Sequence, residues 1–336
     1  MKAYVCREFG PVESHKVEEI EDPRAEAGQV VVDVKAAGVS FPDVLIVQGK
    51  YQFQPPFPFS PGGEIAGVIS EVGEGVVDWK VGDRVIAMTG NGGIAEKVVA
   101  FEMTLMPLPE TMDFKDGAAF PLNYGTTYHA LKQRGQLQPG ETLLVTGAGG
   151  GVGTTAIEIG KAMGAKVIAA ASTEEKLEIA KNLGADETIN YSDGELKEKV
   201  KALTDGLGAD VIYDPIGGDI FLQCMRCVNW KGRVLVIGFA SGPIPEVPTN
   251  LALLKGCSIV GVFWGRFTGA EPEENSKNFD ELFALHAEGK LKPQITKSYS
   301  LDDAAEAISS SENRKATGKV VIAVSYTHLR AHETPA

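Results

Sequence analysis

Residues 143–176 read LLVTGAGGGVGTTAIEIGKAMGAKVIAAASTEEK. A short apolar strand runs into the glycine-rich stretch Gly147 to Gly153, followed by an amphipathic helix and a second apolar strand. Glycine patterns alone are weak signals, and the strand–turn–helix context gives this one its force. Gly150 and Gly151 let the backbone approach a pyrophosphate, Val152 follows them into the helix, and Gly153 lets that helix pack closely on the strand. The first helical N–H groups and the positive end of the helix dipole suit phosphate. A tight turn without ligand is the plainer alternative. The strand–helix alternation that continues to residue 264 favours a dinucleotide cradle.

An acidic residue about 20 positions after the glycines would bind the adenosine ribose hydroxyls and select NAD. Here the second strand ends in Ala170 and Ala171, followed by Ser172 and Thr173. A 2′-phosphate would meet no carboxylate at that place. Lys176 can supply a cation and Ser172 a hydrogen bond, although Ser172 also opens an S-T-E-E helix cap with Glu175. The pattern predicts NADPH rather than NADH as the cofactor.

From Thr142 onward, segments such as KVIAAA, DVIYD, RVLVIG and SIVGVFW alternate with helical stretches, among them TEEKLEIAKNLG and FLQCMRCVNW. That rhythm predicts a doubly wound parallel sheet of Rossmann type, hence an α/β fold. The first hundred residues instead read as short strands broken by Gly and Pro, which predicts a small barrel-like β domain. The helices near 278–289 and 301–311 and the strand KVVIAV most simply return to it. The expected organisation is a discontinuous β domain over 1–122 and 266–324, an inserted Rossmann domain over 123–265, and a disordered or non-native tail over 325–336.

Composition excludes several classes. A formal charge of −13 disfavours nucleic acid or an anionic membrane as partner. No apolar run approaches the length of about 18 residues that a membrane span needs, and no secretory signal is visible. Four irregularly spaced cysteines suit a reducing cytoplasm. Cys224 and Cys227 have no second pair to complete a zinc cluster and are expected on the buried side of a helix. His129 is expected to be packed, and His15 and His286 to lie on the surface.

The motifs AAGVSFPDVLIVQGKY, PFSPGGEIAGVISEVGEGV, GTTYHAL and GAGGGVG make the chain similar to the medium-chain dehydrogenases/reductases. The segments ASTEEKLEIAKNLGADETINY and VIGFASGPIPEVPTNLALLKGCSIVGVFWG resemble its zinc-free quinone oxidoreductase, or zeta-crystallin-like, branch. The resemblance covers nearly everything before the tail. It implies a GroES-like β-barrel domain with an inserted Rossmann domain. Where zinc-dependent relatives carry catalytic ligands, this chain has Ser40, Gly63 and Leu122, so no metal is expected.

The resemblance further places the nicotinamide near Thr126, Val262 and the Ser40–Asp43 loop. It puts Tyr51 at the substrate mouth, as a hydrogen-bond or proton donor or as a rim aromatic. Ser40 stands where the family often has Asn. Tyr191 and Arg314 are expected at the adenosine phosphate end, and Phe239 and Ala240 along the cofactor trough. The implied reaction is hydride transfer from NADPH to a quinone or similar electron-poor enone. A 2-alkenal or enoyl (possibly thioester) reductase is the alternative, and a non-catalytic NADPH-binding structural protein a further one. The apolar segment SIVGVFWG implies an edge strand that pairs two subunits into a homodimer.

Overall fold

The computed structural model describes residues 1–312 and 317–324. Arg314 and the tail 325–336 lie outside the described residues. The described residues form two compact units, Met1–Pro121 together with those between Ile295 and Val324, and Leu122–Gln294.

In chain order the first unit opens with β1 (Lys2–Val5), β2 (Lys16–Glu19), β3 (Gln29–Val39), α1 (Phe41–Val47), β4 (Glu64–Val72), β5 (Arg84–Met88), β6 (Lys97–Phe101), β7 (Leu105–Pro107) and α2 (Phe114–Ala119). α3 (Pro121–His129) leads into the second unit and ends in a π-helical turn, Ala130–Arg134. There follow β8 (Thr142–Thr146), α4 (Gly151–Ala162), β9 (Lys166–Ala171), α5 (Glu174–Asn182), β10 (Glu187–Asn190), α6 (Leu196–Ala202), β11 (Ala209–Asp214), α7 (Gly218–Cys227), β12 (Val228–Val236), α8 (Thr249–Lys255), β13 (Ser258–Gly261), α9 (Trp264–Ala270) and α10 (Pro272–Ala287). The chain then returns to the first unit with β14 (Ile295–Ser300), α11 (Ala304–Glu312) and β15 (Lys319–Ala323).

The first unit is built on a seven-stranded sheet in the order β14-β15-β3-β4-β5-β7, with β6 also on β3. Strand β3 is its axis, because Val30, Val32 and Val34 are fully buried while it pairs β4 along its length. At its far end β3 also carries β15, with Val39 opposite Val320 and Gly38 opposite Val321.

In the second unit a parallel sheet runs β10-β9-β8-β11-β12-β13. The order reverses between β8 and β11, the switch point at whose carboxyl side ligands of open α/β sheets bind. The central strands are covered on both faces: Leu143, Leu144, Val145, Val211, Ile212 and Tyr213 are fully buried. Each large apolar side chain so buried contributes roughly 2 kcal/mol.

Three details depart from the sequence reading. The stretch Val228–Trp230, expected to close a helix, begins β12 instead. His15 is buried, edge-on to the Tyr4 ring, rather than on the surface. The second unit ends near 294 rather than 265, because α9 and α10 pack on α3 and its π turn. A β-carbon on Gly125 would stand 2.6 Å from the Trp264 indole, Trp264 donates to Asn275 at 2.9 Å, and Lys132 donates to Glu281 at 2.7 Å. Local periodicity marks these segments as helices without saying which sheet they cover.

Candidate functional site

In the second unit the glycine cluster forms the turn between β8 and α4. Gly147 has φ of +59°, a left-handed conformation that favours glycine. Gly153 lies so near that turn that a β-carbon on it would sit 2.2 Å from the Gly147 carbonyl oxygen. Only glycine lets the first turn of α4 seat itself on the end of the strand. Gly150 is the N-cap, followed by Gly151 and Val152 in the first turn. A β-carbon on Gly150 would meet nothing nearer than 3.5 Å, so the space above this cap is open. An open cap whose following helical N–H groups lack intrahelical partners fits a pyrophosphate.

Lys176 reaches this turn from α5. A β-carbon on Gly149 would lie 2.5 Å from Lys176 Cγ, so the lysine stem crosses the cradle directly. The cap of α5 is Thr173, whose hydroxyl accepts the Lys176 N–H at 3.4 Å. Ser172 is therefore not the cap residue that the S-T-E-E reading suggested, and it stands exposed just after β9. Tyr191 arrives beside it, with its N–H donating to the Ala171 carbonyl at 3.1 Å. Ser172, Lys176 and Tyr191 thus gather at the ends of neighbouring strands, with no carboxylate at positions 171 or 172.

The other side of the trough is fixed by a residue that the sequence reading missed. Asp214, fully buried at the end of β11, accepts from Thr146 Oγ1 and from the N–H groups of Ile216 (3.2 Å) and Gly217 (3.0 Å). Burial pushes its carboxyl up, against the pull of those donors. Asp214 so ties β8 to β11 across the switch point; its place at a strand end before P-I-G-G was the available signal. The loop after β12 is laid on this one, since the Ala240 N–H donates to the Pro215 carbonyl at 3.0 Å and Phe239 packs on Gly217. Val262 follows β13, its N–H bonded to the Val236 carbonyl at 3.1 Å. Thr126 is half-buried beside fully buried Thr127, whose hydroxyl lies 2.9 Å from the Tyr213 hydroxyl and 3.2 Å from that of Thr155. His129 stacks on Phe267 at 4.0 Å, and burial lowers its pKa, which suits packing. Cys224 and Cys227 are buried in α7, where desolvation raises both thiols.

In the first unit Ser40 caps α1, Asp43 lies in its first turn and Tyr51 follows it. The Asp43 carboxylate accepts the Ser40 N–H at 2.8 Å and the Gly62 N–H at 2.9 Å, so it clamps two loops together. Burial pushes this carboxyl up to about 6 despite both bonds. Asp43 is committed to the backbone rather than presented to a reactant. Tyr51 is half-buried, and its phenol is raised by burial and then by the Asp43 charge. The Ser40 hydroxyl lies 3.1 Å from Glu64 Oε1 and 2.5 Å from Lys319 Nζ, and Lys319 also donates to Glu64.

A zinc ion does not fit this corner. Ser40 offers only a hydroxyl and Gly63 no side chain at all, and the Lys319 ammonium already pairs with the nearby Glu64 carboxylate. Among the described residues no three His, Cys, Asp or Glu side chains gather as a metal site. No described helix is long and apolar enough to cross a membrane.

Comparison with known proteins agrees with this architecture. Residues 26–110 match the alcohol dehydrogenase GroES-like domain, and residues 151–284 the family described as zinc-binding dehydrogenase. A quinone oxidoreductase-like protein 2 homolog from Nematostella vectensis is 44% identical over 88% of this chain and 81% of its own length. The structure of Escherichia coli quinone oxidoreductase complexed with NADPH superposes with a TM-score of 0.89 at 29% identity, covering 96% of this chain and all of that one. The enoyl reductase CurK superposes with a TM-score of 0.85 at 26% identity over 96% and 99% of the two chains.

Proposed function

The chain belongs to the zinc-free quinone oxidoreductase branch of the medium-chain dehydrogenase/reductase family, and from this we propose that it is an NADPH-dependent, metal-independent reductase of quinones or similarly electron-poor enones. The observation that carries the reading is Lys176 lying across Gly149 in a Rossmann cradle whose second strand ends without an acid. Gly150, Gly151, Val152 and Gly153 would receive the pyrophosphate at the head of α4. Ser172 and Lys176 would receive the 2′-phosphate beside Tyr191. Thr126, Phe239, Ala240 and Val262 would line the trough toward the nicotinamide. Arg314 keeps its expected role at the phosphate end as part of this proposal.

When bound, the nicotinamide supplies the hydride. The chain's own residues then have to orient the acceptor and stabilise the charge that develops on its oxygen. Tyr51, whose raised phenol stays protonated, serves as a hydrogen-bond donor, and Ser40 serves as a second. Asp43 holds the loop that carries Ser40. Initial rates with NADPH and NADH against 1,2-naphthoquinone test the reading; kcat/KM should favour NADPH at least tenfold, and equal values would overturn the cofactor preference.

Similarity to an enoyl reductase supports a second reading, reduction of a 2-alkenal or an enoyl thioester. A panel of quinones, 2-alkenals and enoyl thioesters at one NADPH concentration separates the two by kcat/KM. The edge position of β13, with exposed Ile259 and Phe263, supports pairing of two copies into a homodimer. All four cysteines are free thiols, which supports a reducing compartment such as the cytoplasm.

A further inference from the structure

Lys319 and Glu64 form an ion pair whose side chains are 5% and 2% exposed. Taking two charges out of water costs more than their attraction usually returns, and two apolar residues of similar size would often serve stability as well. The register explains how the pair arises. Lys319 opens β15 one residue before Val320, which faces Val39; Glu64 opens β4 opposite Gly38. Three adjacent strands therefore bring Lys319, Ser40 and Glu64 to one end of the sheet. Ser40 is the member of this set with partial exposure.

We infer that Lys319 is a positioning residue: its ammonium, anchored by Glu64, polarises the Ser40 hydroxyl so that this hydroxyl donates to the oxyanion of the acceptor. The inference rests on the proposed reductase reading for the identity of that oxyanion. The hydroxyl oxygen accepts from Lys319 at 2.5 Å, which leaves its proton to point either to Glu64 at 3.1 Å or outward. Glu64 Oε1 already takes the shorter bond from Lys319, so Ser40 gives up little by turning outward to a charged oxygen. A fixed ammonium behind a donor strengthens it most where water is scarce.

The test uses the purified full chain and the variants Ser40→Ala and Glu64→Gln/Lys319→Met. The double change replaces the ion pair by neutral side chains of similar size and keeps the fold testable by thermal melting. Two readouts are taken: quinone reduction with NADPH, and the apparent pKa of bound 4-nitrophenol, followed by phenolate absorbance. We expect wild type to lower that pKa, both variants to lose the shift, and kcat to fall about a hundredfold with KM little changed. The Glu64→Gln/Lys319→Met changes should cost nothing further in a Ser40→Ala background. The inference falls if the double variant, or Ser40→Ala alone should the double variant not fold, keeps the wild-type shift, or if wild type shows none. Wild type that lowers the nitrophenol pKa in a Lys319-dependent way yet reduces no quinone would overturn the reductase reading and leave this one standing.

Discussion

The side chain of Lys176 lies against Gly149, so close that a β-carbon on the glycine would stand 2.5 Å from Lys176 Cγ and 2.6 Å from its Cβ. A cation from one helix is thereby fixed over the turn that opens another. Lys176→Ala should lower kcat/KM for NADPH about tenfold or more, the scale of one charge-assisted hydrogen bond, while NADH values stay within about twofold. Parallel initial-rate measurements with the two cofactors check it. Equal losses for both would mean that Lys176 acts only through packing.

Gly153→Ala should destabilise the second unit. Its new methyl group would meet the Gly147 carbonyl at 2.2 Å, a backbone atom that cannot rotate away. Overpacking of this kind costs about 1–3 kcal/mol. Denaturant melts read the loss, and cofactor titration should show weakened binding as α4 is pushed from the strand.

Glu158 makes stability depend on pH. Its carboxyl accepts from the Tyr124 hydroxyl at 2.6 Å and from the Lys292 N–H at 3.0 Å, yet burial raises it from 4.5 to about 7. The native state therefore holds this proton after the unfolded chain has released it. Stability from this group is fully present below about 4.5 and is lost as pH rises toward 7 and beyond, by up to about 3 kcal/mol. Glu158→Gln removes the titration, so it should gain stability relative to wild type between pH 5 and pH 8. A difference that stays constant over that range would refute the assignment.

Ile259 lies on β13 at the edge of the parallel sheet and is 42% exposed. Ile259→Asp should leave the fold intact while shifting a dimer to monomer, because a charge on a pairing edge opposes strand addition. Light scattering after size-exclusion chromatography reports the mass. A wild-type monomer would refute the pairing.

Asp214→Ala should be the most disruptive of these changes. It strands the N–H groups of Ile216 and Gly217 and leaves the Thr146 hydroxyl only its 3.5 Å contact with the Tyr213 carbonyl. Each buried donor left unsatisfied costs about 1–3 kcal/mol. A thermal melt within a few degrees of wild type would show that the switch point holds without it.

Much of the molecule is legible along the chain, because its signals are local. The alternation from Thr142 to Gly261, the left-handed need at Gly147 and the missing acid after Ala171 are each set within a few residues by periodicity and sterics. Other features required the fold. That Thr173 rather than Ser172 takes the cap of α5 is a competition between neighbouring hydroxyls that composition does not decide, and that the Lys176 stem lies on Gly149 depends on how α5 packs beside the turn. Helices 264–287 belong to the second unit because Trp264 fills the space left at Gly125, a partner 139 positions away in sequence. The Lys319–Ser40–Glu64 set joins residues 279 positions apart at its extremes, and only strand register brings them together. Sequence settled what each segment can form and which ligand chemistry its glycines and missing acid permit. Tertiary structure decided which charges are shut away from water and against whom, since burial and pairing belong to packing between elements rather than to any one of them.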